Sequence, residues 1–140
     1  MELDLTSLKD ALRALGKAVQ SFDTLSHHPD LTTDDIETVQ SGVIQNFEVA
    51  YEQCWKFMKR WLEVNISPDT GDGVARRELF RLSAENRLID DVDLWMEFHT
   101  ARNLTSHTYR EHNAEIAFKS AVAFLPVAED FLARLESHNG

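Results

Sequence analysis

The sequence predicts an all-α fold, an up-and-down bundle of helices forming a single domain over residues 1–140. Apolar residues recur at intervals of three and four, short runs of turn-forming residues interrupt these patterns, and no alternating apolar pattern is long enough for a strand. A hydrophobic fraction of 43% in 140 residues is sufficient for one core, whereas a second independent module would need a longer chain.

The first two helices are predicted from spacing and breakers. Residues 5–22 carry apolar side chains at a 3-4-3-4-3 spacing, which is typical of an amphipathic helix that Pro29 would prevent from continuing. Thr32 or Thr33 then caps a second helix, because acidic residues fill the first turn that follows. This helix is predicted to extend over residues 33–64 and to be the longest, with apolar stripes at two angles that predict neighbours on both sides.

Turn-forming residues at 65–73 predict the main loop, followed by a third helix over residues 74–88. Val74, Leu79, Leu82 and Phe80 are expected to point inward. Arg77 and Arg81 lie four residues apart and are therefore expected on one exposed side.

Three aspartates at 90, 91 and 93 are interpreted as an anionic cap for a fourth helix over residues 94–103. A metal site is the weaker interpretation of the same residues. A fifth helix is predicted over residues 113–137, and Pro126 within it predicts a kink.

Reactive side chains are concentrated in residues 97–112, across the predicted end of the fourth helix. An arginine fork can hold a phosphate through two hydrogen bonds, and an imidazole can transfer protons near neutral pH. The residues in this segment that suit such chemistry are Glu97, His99, Arg102, Asn103, Ser106, His107, Tyr109, Arg110 and His112.

The spacing of Arg102 and His107 supports a shared site only if the helix ends between them. On an unbroken helix five residues turn through ~500°, which leaves the two side chains about 140° apart. If the helix ends near Asn103 in a left-handed conformation, the chain can turn back and bring His107 beside Arg102. The alternative is a plain helix terminus, in which Arg102 bonds an acidic neighbour and His107 caps a carbonyl.

Charge and composition argue against several classes of function. A formal net charge of −10 argues against general charge-driven binding of nucleic acid, although residues 56–87 carry more basic than acidic side chains and leave a local basic face open. The single cysteine, Cys54, is expected to be a packed thiol, and the spacing of the six histidines does not predict a metal site. No membrane span or signal peptide is predicted, so a cytoplasmic location is expected.

The segment Arg102-Asn103-Leu104-Thr105-Ser106-His107-Thr108-Tyr109 resembles the R-x4-H-x-Y motif of HEPN ribonuclease toxins of the HEPN/MNT toxin–antitoxin family. Residues 47–59 and 96–109 are also similar to the long second helix and the motif segment of nucleotidyltransferase substrate-binding proteins, an overlapping group. The resemblance covers nearly the whole chain.

This resemblance implies a HEPN-like bundle of four to five helices that forms a homodimer, with two copies of the motif across a shared cleft. It also implies an endoribonuclease that uses neither metal nor cofactor. In that scheme His107 is the general base or acid, Arg102 stabilises charge on the phosphoryl oxygens, and Asn103 orients the pair.

The resemblance further implies control by a partner, an MNT-type nucleotidyltransferase antitoxin that transfers AMP to Tyr109. Binding of the RNA substrate would need a positively charged surface, for which the candidate residues, beside Arg102, are Arg77, Arg81 and Arg110. Two alternatives stay open: a noncatalytic subunit that docks a small nucleotidyltransferase and presents substrate to it, and a helical scaffold dimer whose polar segment only ends a helix.

Overall fold

The computed structural model describes residues 2–71 and 73–139, and every regular element in this part of the chain is helical. The all-α prediction and the number of long helices are confirmed. The elements are α1 (Thr6–Leu25), α2 (Thr33–Asn65), α3 (Arg76–Glu85), α4 (Val92–Leu104), a short 3-10 turn (Thr105–His107) and α5 (Glu111–Ser137).

Thr32, not Thr33, caps α2. Its hydroxyl oxygen accepts a hydrogen bond from the backbone N–H of Asp35 at 3.1 Å, and the Asp35 carboxylate accepts one from the backbone N–H of Thr32 at 2.9 Å. This reciprocal capping box satisfies two backbone donors that a helix start leaves without partners.

The third helix is shorter than the pattern predicts, because it ends in a Schellman motif. Arg87 adopts a left-handed φ of 62°, its N–H bonds the Ala84 carbonyl, and the N–H of Leu88 bonds the Ser83 carbonyl. Leu88 is fully buried, so its apolar character reflects packing after the helix and not one more helical turn.

The three aspartates around the start of α4 have different partners. Asp91 accepts a hydrogen bond from the backbone N–H of Leu94 at 3.0 Å and is the N-cap of α4. Asp90 and Asp93 instead form ion pairs with Arg134 at 2.6 Å and with Arg77 at 3.0 Å. The interpretation as an anionic cap is therefore confirmed for Asp91, the N-cap, and for Asp93, which lies in the first turn of α4, but not for Asp90.

Buried side chains from all five helices form one hydrophobic cluster. Trp95 lies at its centre, where its ring contacts Phe80, Phe98, Phe124 and Phe131 with centroid distances between 5.5 and 6.0 Å. Most of these contacts are edge-on, the geometry that aromatic quadrupoles favour. The core therefore fixes the inner side of α4, which carries the candidate motif at its C-terminal end.

Helix α2 contacts every other helix, as its two apolar stripes predicted. Both stripes are largely buried from Val43 onward, whereas Ile36 and Val39 near its start are only half-buried. The first turns of α2 consequently flank the core and leave room for a surface cleft.

Pro126 lies inside α5, and the helix continues on both sides of it. The kink expected at Pro126 stays a prediction. Within residues 2–71 and 73–139, no helix combines the length and the apolar character that crossing a membrane requires.

Candidate functional site

The end of α4 does not reverse at Asn103. The backbone stays right-handed through Leu104 and Thr105 and tightens into the 3-10 turn, and within the described residues the left-handed region is occupied only by Arg87 and Gly73. The expected left-handed conformation at Asn103 is therefore wrong. The 3-10 turn ends at His107, and the backbone is extended at Arg110, immediately before α5.

The physical reason is a local hydrogen bond. The hydroxyl of Thr105 donates to the carbonyl of Arg102 at 2.6 Å, and the Thr105 backbone N–H bonds the same carbonyl. These bonds satisfy the Arg102 carbonyl, which would otherwise need the donors of a left-handed helix cap. They also favour the tighter 3-10 geometry.

Arg102 is held firmly at this helix end. Its Nη1 donates to the Thr105 hydroxyl at 3.1 Å, and its Nε lies 3.3 Å from Oε1 of Glu52 on α2. The other carboxylate oxygen of Glu52 accepts a hydrogen bond from Nε1 of Trp55 at 2.9 Å. Nε makes no hydrogen bond, so its contact with Glu52 is an ion pair. The guanidinium is thus positioned by Thr105 and by Glu52 on α2 before any ligand is present, and the expectation that Arg102 pairs with an acidic neighbour is confirmed.

His107, by contrast, is exposed. Its ring centroid lies 6.2 Å from that of Tyr109, and its backbone carbonyl accepts a hydrogen bond from Asn113 at 3.1 Å. Over residues 2–71 and 73–139, its imidazole caps no carbonyl and forms no hydrogen bond or ion pair with Arg102. One chain therefore presents the two groups at the same helix end without joining them.

Asn103 and Tyr109 are also exposed, Tyr109 to 79% of its surface. Within the described part of the chain Asn103 makes no side-chain hydrogen bond, so it does not orient Arg102 and His107 inside a single chain. Tyr109 has the accessible hydroxyl that a group transfer would need.

Tyr51 and His99 lie beside Arg102. His99 belongs to the reactive residues of segment 97–112, whereas Tyr51 was expected only as part of an apolar stripe of α2. The Tyr51 hydroxyl and Nδ1 of His99 share a hydrogen bond of 2.8 Å. Burial, and then the positive charge of Arg76, lower the pKa of His99, while burial raises the pKa of Tyr51. The pair therefore favours its neutral forms.

Arg76 is a residue that the sequence analysis missed. Its guanidinium carbon lies 3.6 Å from the centroid of the Trp55 ring, a close cation–π contact. We call the group that surrounds His99 the arginine cluster. It consists of Tyr51, Glu52, Trp55, Arg76, His99 and Arg102. Helical spacing places Tyr51, Glu52 and Trp55 at neighbouring positions of α2, and His99 and Arg102 at neighbouring positions of α4. Arg76 begins α3, and no sequence signal places it beside them.

The arginines selected from the sequence for RNA differ in their surroundings. Arg77 pairs with Asp93, and Arg81 pairs with Glu78 at 2.8 Å and with Glu85 at 3.4 Å. Arg110 is exposed and has no ion pair among the described residues. Two of these three guanidinium groups are thus already neutralised by nearby carboxylates.

A cleft of about 480 Å³ separates the start of α2 from the segment that carries Tyr109. Three carboxylates face it, so it has an acidic character. Its lining residues are Glu37, Gln40, Ser41, Ile44, Thr108, Tyr109, Glu111, Ala114 and Glu115.

Cys54 is fully buried, and burial raises the pKa of its thiol, which confirms a packed and unreactive side chain. Among residues 2–71 and 73–139, no group of three or more histidine, cysteine, aspartate or glutamate side chains is placed to hold a metal ion.

Comparison with known proteins covers nearly the whole chain. Residues 3–137 match the family described as nucleotidyltransferase substrate binding protein like. A probable ribonuclease HepT of Haemophilus influenzae is 32% identical over 104 residues, which cover 74% of this chain and 71% of that protein.

Two solved structures are similar. One, from Haemophilus influenzae, reveals the fold of a substrate binding domain of a nucleotidyltransferase; it matches with a TM-score of 0.88 and 28% identity over 95% of this chain and 99% of its own. A Thermus thermophilus protein matches with a TM-score of 0.63 and 26% identity over 86% and 98% of the two chains. The chain therefore belongs to the nucleotidyltransferase substrate binding protein-like family, with a HepT-type helical fold, as the resemblance of its motif indicated.

Proposed function

We propose that this protein is a metal-independent endoribonuclease toxin that is neutralised by a small nucleotidyltransferase. The similarity to a probable ribonuclease supports the activity class. The structural observation that carries the proposal is the arrangement at the end of α4, where Arg102 is immobilised by Glu52 and Thr105 while His107 is open to solvent.

The proposed reaction is a transesterification within RNA. A ribose 2'-oxygen attacks the adjacent phosphorus atom, and His107 accepts the 2'-hydroxyl proton. The bond from phosphorus to the 5'-oxygen breaks, and that oxygen leaves with a proton supplied by an acid such as a second imidazolium or water. The products are a 2',3'-cyclic phosphate and a 5'-hydroxyl.

Arg102 would stabilise the negative charge that builds on the non-bridging phosphoryl oxygens. A guanidinium that is already oriented needs no reorganisation when this charge appears, and that is the main source of electrostatic catalysis. Asn103, one residue along and exposed, would contact the same phosphate or the facing subunit.

The site is proposed to be completed by a homodimer. In one chain no contact of the described residues joins the Arg102 and His107 side chains. A second copy would therefore place its own His107 opposite Arg102, across a cleft between the two subunits. Two copies of the motif would also supply the two imidazoles that proton removal and proton donation require.

Tyr109 is proposed as the acceptor of AMP from the nucleotidyltransferase partner. Its hydroxyl is exposed and its ring lies 6.2 Å from that of His107. A nucleotide at this position would add bulk and negative charge beside the imidazole, and both would hinder the approach of an RNA phosphate.

The test is expression of the chain alone in a bacterial host, with growth and total RNA integrity as readouts. We expect wild type to arrest growth and fragment RNA, and Arg102→Ala and His107→Ala to abolish both effects. Ser106→Ala is the matched control, because Ser106 is exposed and lies in the same turn. Purified protein should retain cleavage in excess EDTA and produce cyclic phosphate ends.

Coexpression with the partner should restore growth for wild type but not for Tyr109→Phe, and an intact-mass measurement should show adenylyl groups only on the former. If wild type neither arrests growth nor cleaves RNA, the ribonuclease proposal is wrong.

A noncatalytic binding subunit is the second candidate. It is favoured by the acidic cleft beside Tyr109, which repels nucleic acid and suits a basic protein surface. The carboxylate partners of Arg77 and Arg81 also leave little positive charge available to nucleic acid at these two residues. Harmless expression combined with a stable complex with the nucleotidyltransferase would establish this function instead.

A further inference from the structure

We propose that Arg76 is a second phosphate-binding residue of the ribonuclease site, held in place by the face of Trp55 and acting together with Arg102. This inference rests on the proposed function. It replaces Arg77 and Arg81, the neighbours on α3 that spacing alone selected.

The first support is the state of the Arg76 guanidinium. It is half-buried, its Nε is inaccessible to solvent and has no hydrogen-bond partner, and no carboxylate among the described residues pairs with it. Buried polar groups normally have partners. Nε itself is out of reach of a ligand, as is Nε of Arg102. The other two nitrogens of Arg76 have no carboxylate partner among the described residues of a protein with a net charge of −10, and these nitrogens can bond an anion that arrives from outside.

The second support is the stacking on Trp55. At 3.6 Å from the ring centroid, the planar guanidinium covers the indole and loses much of its rotational freedom before binding. A guanidinium stacked in this way can still donate two hydrogen bonds from its edge to the oxygens of one phosphate.

The third support is convergence with the proposed catalytic arginine. Arg76 stacks on Trp55, Nε1 of Trp55 donates to Oε2 of Glu52 at 2.9 Å, and Oε1 of Glu52 lies 3.3 Å from Nε of Arg102. A short series of contacts thus connects the two guanidinium groups, and both charges act on His99 by lowering its pKa. Glu52 is the acidic member of the cluster, and among the described residues Arg102 alone lies at ion-pair distance from it. The arginine cluster therefore keeps an excess of positive charge where an RNA backbone would pass.

The chain offers a matched control in Arg60. Its guanidinium carbon also lies over an aromatic ring, 5.0 Å from the centroid of Phe57, and it is exposed on α2. Arg60→Gln and Arg76→Gln thus remove the same charge and the same type of contact, but only Arg76 belongs to the arginine cluster.

The experiment measures the affinity of a fluorescent single-stranded RNA for the full chain at several salt concentrations, with His107→Ala present throughout to prevent cleavage. We expect Arg76→Gln to weaken binding about tenfold and to lower the salt-dependence slope by about 0.7, the value for one phosphate contact on a single strand. Arg60→Gln should change neither quantity by as much as a factor of two. Arg76→Lys should recover only part of the affinity, because an ammonium cannot form the bidentate contact.

Equal losses in Arg60→Gln and Arg76→Gln, or no loss in Arg76→Gln, would overturn the assignment of Arg76. The two proposals fail in distinguishable ways. If RNA binds with the expected dependence on Arg76 and wild type does not cleave it, the enzyme proposal fails and this inference stands. If wild type does not bind RNA even at low salt, both are wrong.

Discussion

The inner side of α4 and the turn that follows it, residues 105–110, are built in opposite ways. Arg102 is fixed by Glu52 and Thr105, and the residues before it pack in the aromatic core. Beyond the helix end, His107 and Tyr109 are exposed, with their ring centroids 6.2 Å apart. A single short motif therefore combines a rigid cation with accessible groups that a second molecule can reach.

This difference implies a division of labour. Rigid groups are efficient at stabilising charge in a transition state, because they do not reorganise. Groups that accept a modification or complete a site with another subunit must be accessible. Mutations on the inner side should therefore affect stability, whereas mutations at the exposed positions of the turn, such as His107 and Tyr109, should leave stability nearly unchanged.

The largest expected effect is in the core beneath the motif. Trp95→Ala should lower the free energy of unfolding by about 3–5 kcal/mol, because it removes a buried ring in contact with four others. Urea unfolding measures the loss. Tyr109→Ala removes an equally aromatic but exposed ring and should stay within about 0.5 kcal/mol of wild type; similar losses for both variants would break the comparison.

A smaller effect is expected within the motif itself. Arg102→Ala should cost about 1–2 kcal/mol, because Glu52 and Thr105 lose a charged partner in a partly buried setting, whereas His107→Ala should cost less than about 0.5 kcal/mol. A double-mutant cycle with Glu52→Gln isolates the ion pair. Additive losses in that cycle would mean that Glu52 does not fix Arg102.

The pH dependence of stability should report the environment of His99. Its pKa in the folded protein lies below the ordinary value of 6.5, so the unfolded chain binds its proton first as the pH falls. The contribution is fully present above pH 6.5 and is lost as the pH falls below that value towards the folded pKa. His99→Gln should show a shallower decline in thermal stability over this range, and identical profiles would contradict the assignment.

The smallest expected effect is that of Tyr109→Phe on the isolated protein. Its exposed hydroxyl has no hydrogen-bond partner among the described residues, so the melting temperature should match that of wild type, as expected for surface substitutions. RNA cleavage by the variant expressed without its partner should also be unchanged. A lower cleavage rate would assign Tyr109 to the reaction and not only to its control.

The sequence predicted the helices well because their periodic apolar faces are local features. The end of α3 was missed because a non-glycine residue, Arg87, adopts the left-handed conformation, which no local pattern indicates. The reversal at Asn103 was wrong for a related reason: the Thr105 hydroxyl competes for the Arg102 carbonyl, and the outcome depends on a side chain rotamer.

The partners of Arg102 and the choice between adjacent arginines could not be predicted. Glu52 lies 50 positions before Arg102 in the sequence and meets it only through the packing of α2 on α4. Arg76 and Arg77 differ by about 100° around the helix, so their roles depend on where Trp55 lies. The R-x4-H-x-Y motif was identified by resemblance, since spacing alone does not bring its two main groups together.

The burial of Cys54 has a practical consequence for labelling. Because the native thiol is shielded by the core and favours its protonated form, maleimide dyes should leave the folded wild-type chain unmodified. A cysteine introduced at an exposed position, for example Ser106→Cys, would then carry the only dye. Its fluorescence could follow the assembly of two copies, or the arrival of a nucleotidyltransferase, without removal of the native cysteine.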